Sequence, residues 1–247
     1  MLRVRPVHFT SSAGSWERLL TALGMTVEAG SPGGEDDAGR RVFTAASGRL
    51  VLQQVAAGSA EDGTTALSVE VGDPAEFARR TNLVAQADGA PAGIAKADAH
   101  SCRITAPDGF SFPAEKAPHT IPLDGTDPAL AVVGVWFTPQ PATAAATLRH
   151  IGARPRPVPD NDETADFTAK NGGVLLVRPA SGQPHGGFGF EYDGGLEPLR
   201  ERLTSAGFSP TVTEEAFGST LHVASPDSGA AEHAPETVWI SLRHPMR

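Results

Sequence analysis

Two residue types in this chain are placed to handle a proton. His8 lies in the alternating run Arg5-Pro-Val-His-Phe-Thr10, and Glu70 in Ala66-Leu-Ser-Val-Glu-Val71. An imidazole titrates near neutrality and a carboxylate taken out of water has a raised pKa, so the two read as a base and its orienting partner. Glu191 holds the place of Glu70 in an equivalent run, Phe188-Gly-Phe-Glu-Tyr192. That parallel supports a second reading, a repeated structural carboxylate salt-bridged to arginine. Thr10, Gln53, Ser68 and Thr138 are further polar residues of such runs. Arg178 ends an apolar strand where Gln53 stands in the other half, and reads as an anchor for an anionic ligand or as a surface arginine. Trp136 and Trp239 offer flat apolar area to an aromatic ligand, or to the core.

Other chemistries are excluded. Cys102 is the single cysteine, so there is no internal disulfide and no cysteine-rich metal site, and it reads as a packing residue. No Gly-x-Gly-x-x-Gly fingerprint opens a helix, Asn171-Gly-Gly173 lacks the context of a phosphate loop, and there is no Gly-x-Ser-x-Gly elbow. The net charge of -9 is carried without basic clusters, which argues against nucleic acid and anionic membranes as partners. Apolar runs stay far below the roughly 20 residues of a membrane span, and the N-terminus lacks a secretory pattern. The expected location is the cytoplasm and the expected partner a small molecule.

The elements that must position these residues repeat. Four strands each run into a short amphipathic helix. The first has a Ser12 or Ser15 cap, apolar Trp16, Leu19, Leu20 and Leu23, and a stop at Gly24. The second has Asp73 as N-cap, Pro74, a capping-box Glu76 and an inward Phe77. The third opens near Pro141, turns Leu148 and Ile151 inward and stops at Gly152. The fourth carries Leu196, Leu199 and Leu203 to Gly207. The step between units is about 60 residues, so the chain holds four copies of one strand-helix-strands unit. Hairpins are expected at Ser47-Gly48 and Asn171-Gly172, and a Pro-Asp turn before the closing strand of each half, at Pro107-Asp108 and Pro226-Asp227. A Pro-rich stretch separates the halves, giving domains 1–117 and 129–247 with a linker at 118–128. Two loops, around Gly30 to Asp37 and Arg154 to Asp160, are expected on the surface beside a site.

This pattern resembles the vicinal oxygen chelate superfamily, which includes glyoxalase I, extradiol dioxygenases and bleomycin-resistance proteins. Leu19-Leu-Thr-Ala-Leu-Gly-Met25 is similar to its first-helix ending, and Ala106-Pro-Asp-Gly-Phe-Ser-Phe112 to its Asp-Pro-Asp-Gly hairpin. The resemblance implies an α+β chain of two tandem glyoxalase-like domains. Each is two βαβββ units forming a curled mixed sheet with helices on the convex face and ligand in the cup. Alternation then assigns Val7, Phe9, Val69 and Val71 to the helix side, with His8, Thr10, Ser68 and Glu70 in the first cup. In the second, Phe188, Phe190 and Tyr192 back onto a helix, and Trp136, Thr138, Gly189, Glu191 and Arg178 line the cavity.

Metal-dependent relatives hold one divalent ion on His, Glu or Gln. Counted from the helix ends, the matching positions fall near Val4, Val51, Ala66 and Pro113, and near Val132, Leu176, Gly187 and Ile240, none able to coordinate. The expectation is therefore a binding protein of the drug-sequestering kind, with no cofactor and a partly aromatic or hydrophobic ligand. The alternative is a glyoxalase-type lyase or isomerase, or an extradiol-type dioxygenase, with one divalent metal ion on a slid register of His8, Gln53, Ser68 or Glu70, and Glu115. Tandem fusion implies a monomer with an internal pseudo-dimer, or a homodimer.

Overall fold

The computed structural model describes every residue except 29–38, 91–92, 99, 119–121, 158–162, 216–217, 231–233 and 244–247. The expected loop around Gly30 to Asp37 lies outside the described residues, as do parts of the linker and of the loop before Asp160.

Four units follow one another. The first comprises β1 (Leu2–Val4), β2 (Val7–Thr10), α1 (Ala13–Ala22), β3 (Thr26–Val27), β4 (Arg40–Thr44) and β5 (Arg49–Gln54). The second comprises β6 (Thr65–Ala66), β7 (Val69–Val71), α2 (Pro74–Ala87), β8 (Ala95–Ala97), β9 (Ser101–Thr105) and β10 (Ser111–Lys116). The third is β11 (Leu130–Thr138), α3 (Pro141–His150), β12 (Arg154–Pro155), β13 (Ala165–Thr168) and β14 (Val174–Pro179). The fourth is β15 (His185–Tyr192), α4 (Leu196–Ser205), β16 (Thr211–Glu215), β17 (Gly218–Ala224) and β18 (Thr237–Leu242). In every unit the strand before the helix pairs in parallel with the last strand: β2 with β5, β7 with β10, β11 with β14, and β15 with β18. The strands between the helix and the last strand add antiparallel outside that last strand, while β1 pairs antiparallel with β7. The helix is the crossover that a parallel pair requires.

Local signals account for the helix ends. Asp73 caps α2 by accepting the Glu76 amide at 2.9 Å, with Pro74 at the first position. The Glu76 carboxylate turns to Arg79 and Arg80, and Phe77 is only half-buried; Ala78, Thr81 and Ala85 form the inner face. The glycines after α1, α3 and α4 adopt φ of +92°, +88° and +89°, the left-handed end that glycine makes cheaply. At Gly24 a Cβ would lie 2.5 Å from the Asp127 Cβ. Gly24→Ala is therefore expected to cost about 1–3 kcal/mol, read as a lower urea midpoint at unchanged slope.

The chain sorts into two compact units that do not follow its halves. One holds Met1–Pro6, Ala66–Ile121 and Val133–Phe188; the other holds Val7–Thr65, Pro122–Val132 and Gly189–Arg247. The former, hereafter the inner unit, combines the second and third repeats, with α2 against α3. The latter, the outer unit, combines the first and fourth, with α1 against α4. The expected division at 118–128 is thus not the one by which the helices pack. Periodicity counts repeats, but partners are chosen by helix faces far apart in sequence. The stretch read as a linker is also tied down at its end. Asp127 accepts from Tyr192 at 3.0 Å and from Arg202 at 2.7 Å, and its amide donates to the Gly24 carbonyl at 2.8 Å. Burial alone would raise the Asp127 carboxyl, but the Ala129 amide, Arg202 and Tyr192 hold it below the ordinary range.

Each helix buries an apolar stripe on one sheet face. Trp16, Leu19 and Leu20 of α1 cover the side of Phe43, Leu50 and Leu52; Leu196, Leu199 and Leu203 of α4 cover that of Phe190, Leu221 and Ile240. Under α2, Cys102 is fully buried beside Ala114, and burial pushes its thiol up to about 11. Cys102 is expected to resist iodoacetamide at pH 8 in the folded protein and to react on unfolding, measured by mass increase. Among the described residues no helix is long and apolar enough to cross a membrane.

Candidate functional site

The helix side of the outer unit carries a fully buried polar cluster. His8 Nε2 lies 2.7 Å from Asp227 Oδ2, and His8 Nδ1 lies 3.0 Å from Thr65 Oγ1. Trp16 Nε1 donates to the same carboxylate at 2.6 Å, and Thr10 Oγ1 to its other oxygen at 2.6 Å. The rings of His8 and Trp16 meet edge to face at 4.7 Å. Burial would raise the Asp227 carboxyl, yet the hydrogen bonds from His8, Thr10 and Trp16 outweigh it and hold it below the ordinary range. An ionised carboxylate only accepts, so His8 Nε2 carries the hydrogen directed at Asp227. Beside the cluster, buried Asp62 accepts the Ser11 amide at 2.7 Å and the Gly58 amide at 3.0 Å.

This placement corrects the expected facing of His8 and Thr10. Both point toward α1, while Phe9 and its partner Gln53 lie on the helix-free face. Alternation put the apolar Val7 and Phe9 inward because it cannot see that the Pro226-Asp227 turn, more than two hundred residues away, delivers an acceptor to the helix side. The inner unit has a pared-down counterpart. Thr138 Oγ1 donates to Asp108 Oδ2 at 2.9 Å and accepts the Gln140 amide at 3.1 Å, as Thr10 accepts the Ser12 amide at 2.8 Å. Here Trp136 occupies the place of His8. It is fully buried against Phe110 and Phe112, so Trp136, like the buried Thr138, is a core residue.

The helix-free faces are different. In the outer unit, Glu191 is opposite Ser241 and His222 opposite Trp239 in strand register. The Trp239 indole, partly exposed, lies flat on the backbone of Gly189, where a Cβ would fall 2.2 Å from the ring. Glu191 is buried on this face.

In the inner unit, Glu70 and Glu115 are register partners on the face away from α2. Glu70 is wholly buried, 3.3 Å from Arg3 and 3.6 Å from Arg5; Glu115 pairs with Arg5 and is one-third exposed. Among the readings open for Glu70, the salt-bridged one describes this arrangement. Ser68 is buried, and its hydroxyl has no hydrogen-bond partner among the described residues. Arg178 donates to Asp166 at 2.7 Å and His185 stacks on Phe137 at 5.0 Å. The sequence reading missed Arg5 and the carboxylate of Asp227. The shared places of Thr10 and Thr138, each matched by a Pro-Asp turn, were the signal available for the latter.

No family model matches this sequence and no curated relative does. Solved structures do. A Mn(II)-bound glyoxalase from Novosphingobium aromaticivorans is 12% identical with a TM-score of 0.55, over 97% of this chain and 80% of that one. A catechol 2,3-dioxygenase is 13% identical with a TM-score of 0.57, over 98% and 86%. A mutant of 4-hydroxymandelate synthase from Streptomyces coelicolor is 13% identical with a TM-score of 0.54, over 99% and 92%. All three belong to the superfamily whose repeat the sequence resembles, and all cover nearly the whole chain.

The chain has the vicinal oxygen chelate fold.

The α+β vicinal oxygen chelate architecture of repeated βαβββ units is therefore as expected. The expectation of no cofactor is corrected. It rested on counted ligand positions, and structures sharing the fold include one with Mn(II) bound. The count was itself misplaced, since Val4 and Ile240 belong to helix-side cores. The slid ligand set is not assembled either: His8 and Gln53 lie on opposite faces of their sheet, and Glu70 and Glu115 are held by Arg3 and Arg5. Among the described residues, no group of three or more His, Cys, Asp or Glu could hold a metal ion.

Proposed function

We propose that this protein binds a small, partly aromatic or hydrophobic molecule on the helix-free face of its outer unit, in the manner of the drug-sequestering branch of the fold. The observation that supports this reading is the Trp239 indole laid flat on Gly189, partly exposed, with Glu191 on the same face. A flat indole supplies a large contact area at little conformational cost, and a few polar groups around it fix orientation. His8, Thr10, Asp227 and Trp16 act as a clamp behind that face, not as contacts to ligand. The protein works in the cytoplasm, where a buried lone thiol needs no partner.

Equilibrium dialysis against a library of small aromatic compounds tests the proposal. Saturable binding at about one molecule per chain, weakened by Trp239→Ala, is expected; a chain that retains none of the compounds contradicts it.

A second reading is favoured by the Mn(II)-bound glyoxalase among the structural neighbours: a metal-dependent lyase, isomerase or dioxygenase. Metal content, measured by mass spectrometry after challenge with zinc, nickel, manganese and ferrous iron, separates the two. A stoichiometric, tightly held ion directs the search to that chemistry.

A further inference from the structure

The inner unit contains a guanidinium whose recognition edge is badly matched to its neighbours. Arg5 is over nine-tenths buried on the helix-free face. The Nε and Nη2 groups of arginine form a planar fork suited to both oxygens of one carboxylate. At Arg5 both nitrogens are buried, Nε has no hydrogen-bond partner among the described residues, and Nη2 meets its acceptor in an ion pair that does not engage Nε. Two different carboxylates approach them instead. Glu70 lies 3.6 Å from Nε, too far for a hydrogen bond, and Glu115 contacts Nη2.

The two carboxylates are not equally committed. Glu70 has no exposed surface and is shared with Arg3, which is itself fixed to the Asn171 carbonyl at 2.9 Å. Glu115 is one-third exposed near the end of β10, which makes it the more solvent-accessible of the two. A buried donor without an acceptor is costly, and the cost at Nε is relieved by a planar anion that meets both nitrogens at once.

We propose that the Nε and Nη2 edge of Arg5 is the anchor for the carboxylate of a small organic acid, with Glu115 as the tethered occupant that the ligand displaces. Glu70 keeps the guanidinium in plane and charge-balanced while Glu115 leaves. The inference rests on the reading that helix-free faces of this fold take small molecules, and adds a second face and a ligand class. Its ligand differs from that of the Trp239 face in requiring a negative charge.

The test follows the arginine Nε–Hε resonances of the full chain by NMR during titration with benzoate, and with benzamide as the neutral isostere. Benzoate is expected to shift the Arg5 resonance saturably, and benzamide to leave it in place. Glu115→Gln removes the internal competitor and is expected to tighten benzoate about fivefold. Arg5→Lys keeps the charge but loses the fork, and is expected to weaken binding about tenfold or more. Should that variant not fold, the Glu115→Gln comparison decides alone. An Arg5 resonance unmoved by benzoate in both wild type and Glu115→Gln overturns the proposal, as does an equal response to benzamide. Benzoate that perturbs only Trp239 overturns the Arg5 anchor while leaving the outer-unit reading intact.

Discussion

Asp227→Ala is expected to lower the unfolding free energy by about 3–5 kcal/mol, and the melting temperature by about 10 °C, in a thermal or urea melt. The carboxylate is the common acceptor for His8, Trp16 and Thr10, all fully buried, and its removal strands three donors at once. Asp227→Asn keeps the volume and one acceptor oxygen, and is expected to lose about half as much. The pH dependence follows from the depressed Asp227 carboxyl. Such a group contributes its full stability above the ordinary carboxylate range, and that contribution is lost as pH falls through the depressed value. Wild type should therefore weaken steeply below about pH 4, and Asp227→Asn less steeply. Asp62 and Asp127, also held low, leave a residual slope. If Asp227→Ala melted like wild type, the cluster would not be the clamp described.

The second large effect is at Glu70. Glu70→Ala leaves Arg5 over nine-tenths buried with the partly exposed Glu115 as its remaining carboxylate, and is expected to cost about 3 kcal/mol or more. The double variant in which Arg5 and Glu70 are both replaced by apolar residues of similar size should recover much of that loss, because removing a buried pair together is far cheaper than orphaning one charge. Urea melts of the single and double variants measure the coupling. Additive losses would mean that the two side chains do not interact as a pair. This outcome also separates the two chemical roles open to a buried carboxylate: a structural partner shows strong coupling to Arg5, whereas a general base shows its effect in turnover.

What could be read from the residues was local. The helix stops at Gly24, Gly152 and Gly207 and the Asp73 cap depend on neighbours within a few positions, the four-fold repeat follows from the recurrence of such local signals, and the structure has them. Glu191 and Glu70 were assigned to the correct face because apolar residues flank them on both sides. His8 and Thr10 were not, because an alternating strand reports which residues are apolar, and here a polar pair is buried against a helix by a distant turn. The same limit hid the packing of repeats. Helix α1 meets α4 and α2 meets α3, a choice made by side-chain shapes that no period encodes. Arg5 escaped notice because its partner carboxylates come from β7 and β10, far along the chain.

The most direct test of the central claim is a fluorescence titration. The chain has three tryptophans, of which Trp16 and Trp136 are fully buried and Trp239 is partly exposed. With catechol and a panel of substituted benzenes as probes, the account predicts saturable quenching by at least one compound at one site per chain, abolished in Trp239→Phe. Quenching that rises linearly without saturation, or that persists unchanged in Trp239→Phe, would contradict ligand binding at this face.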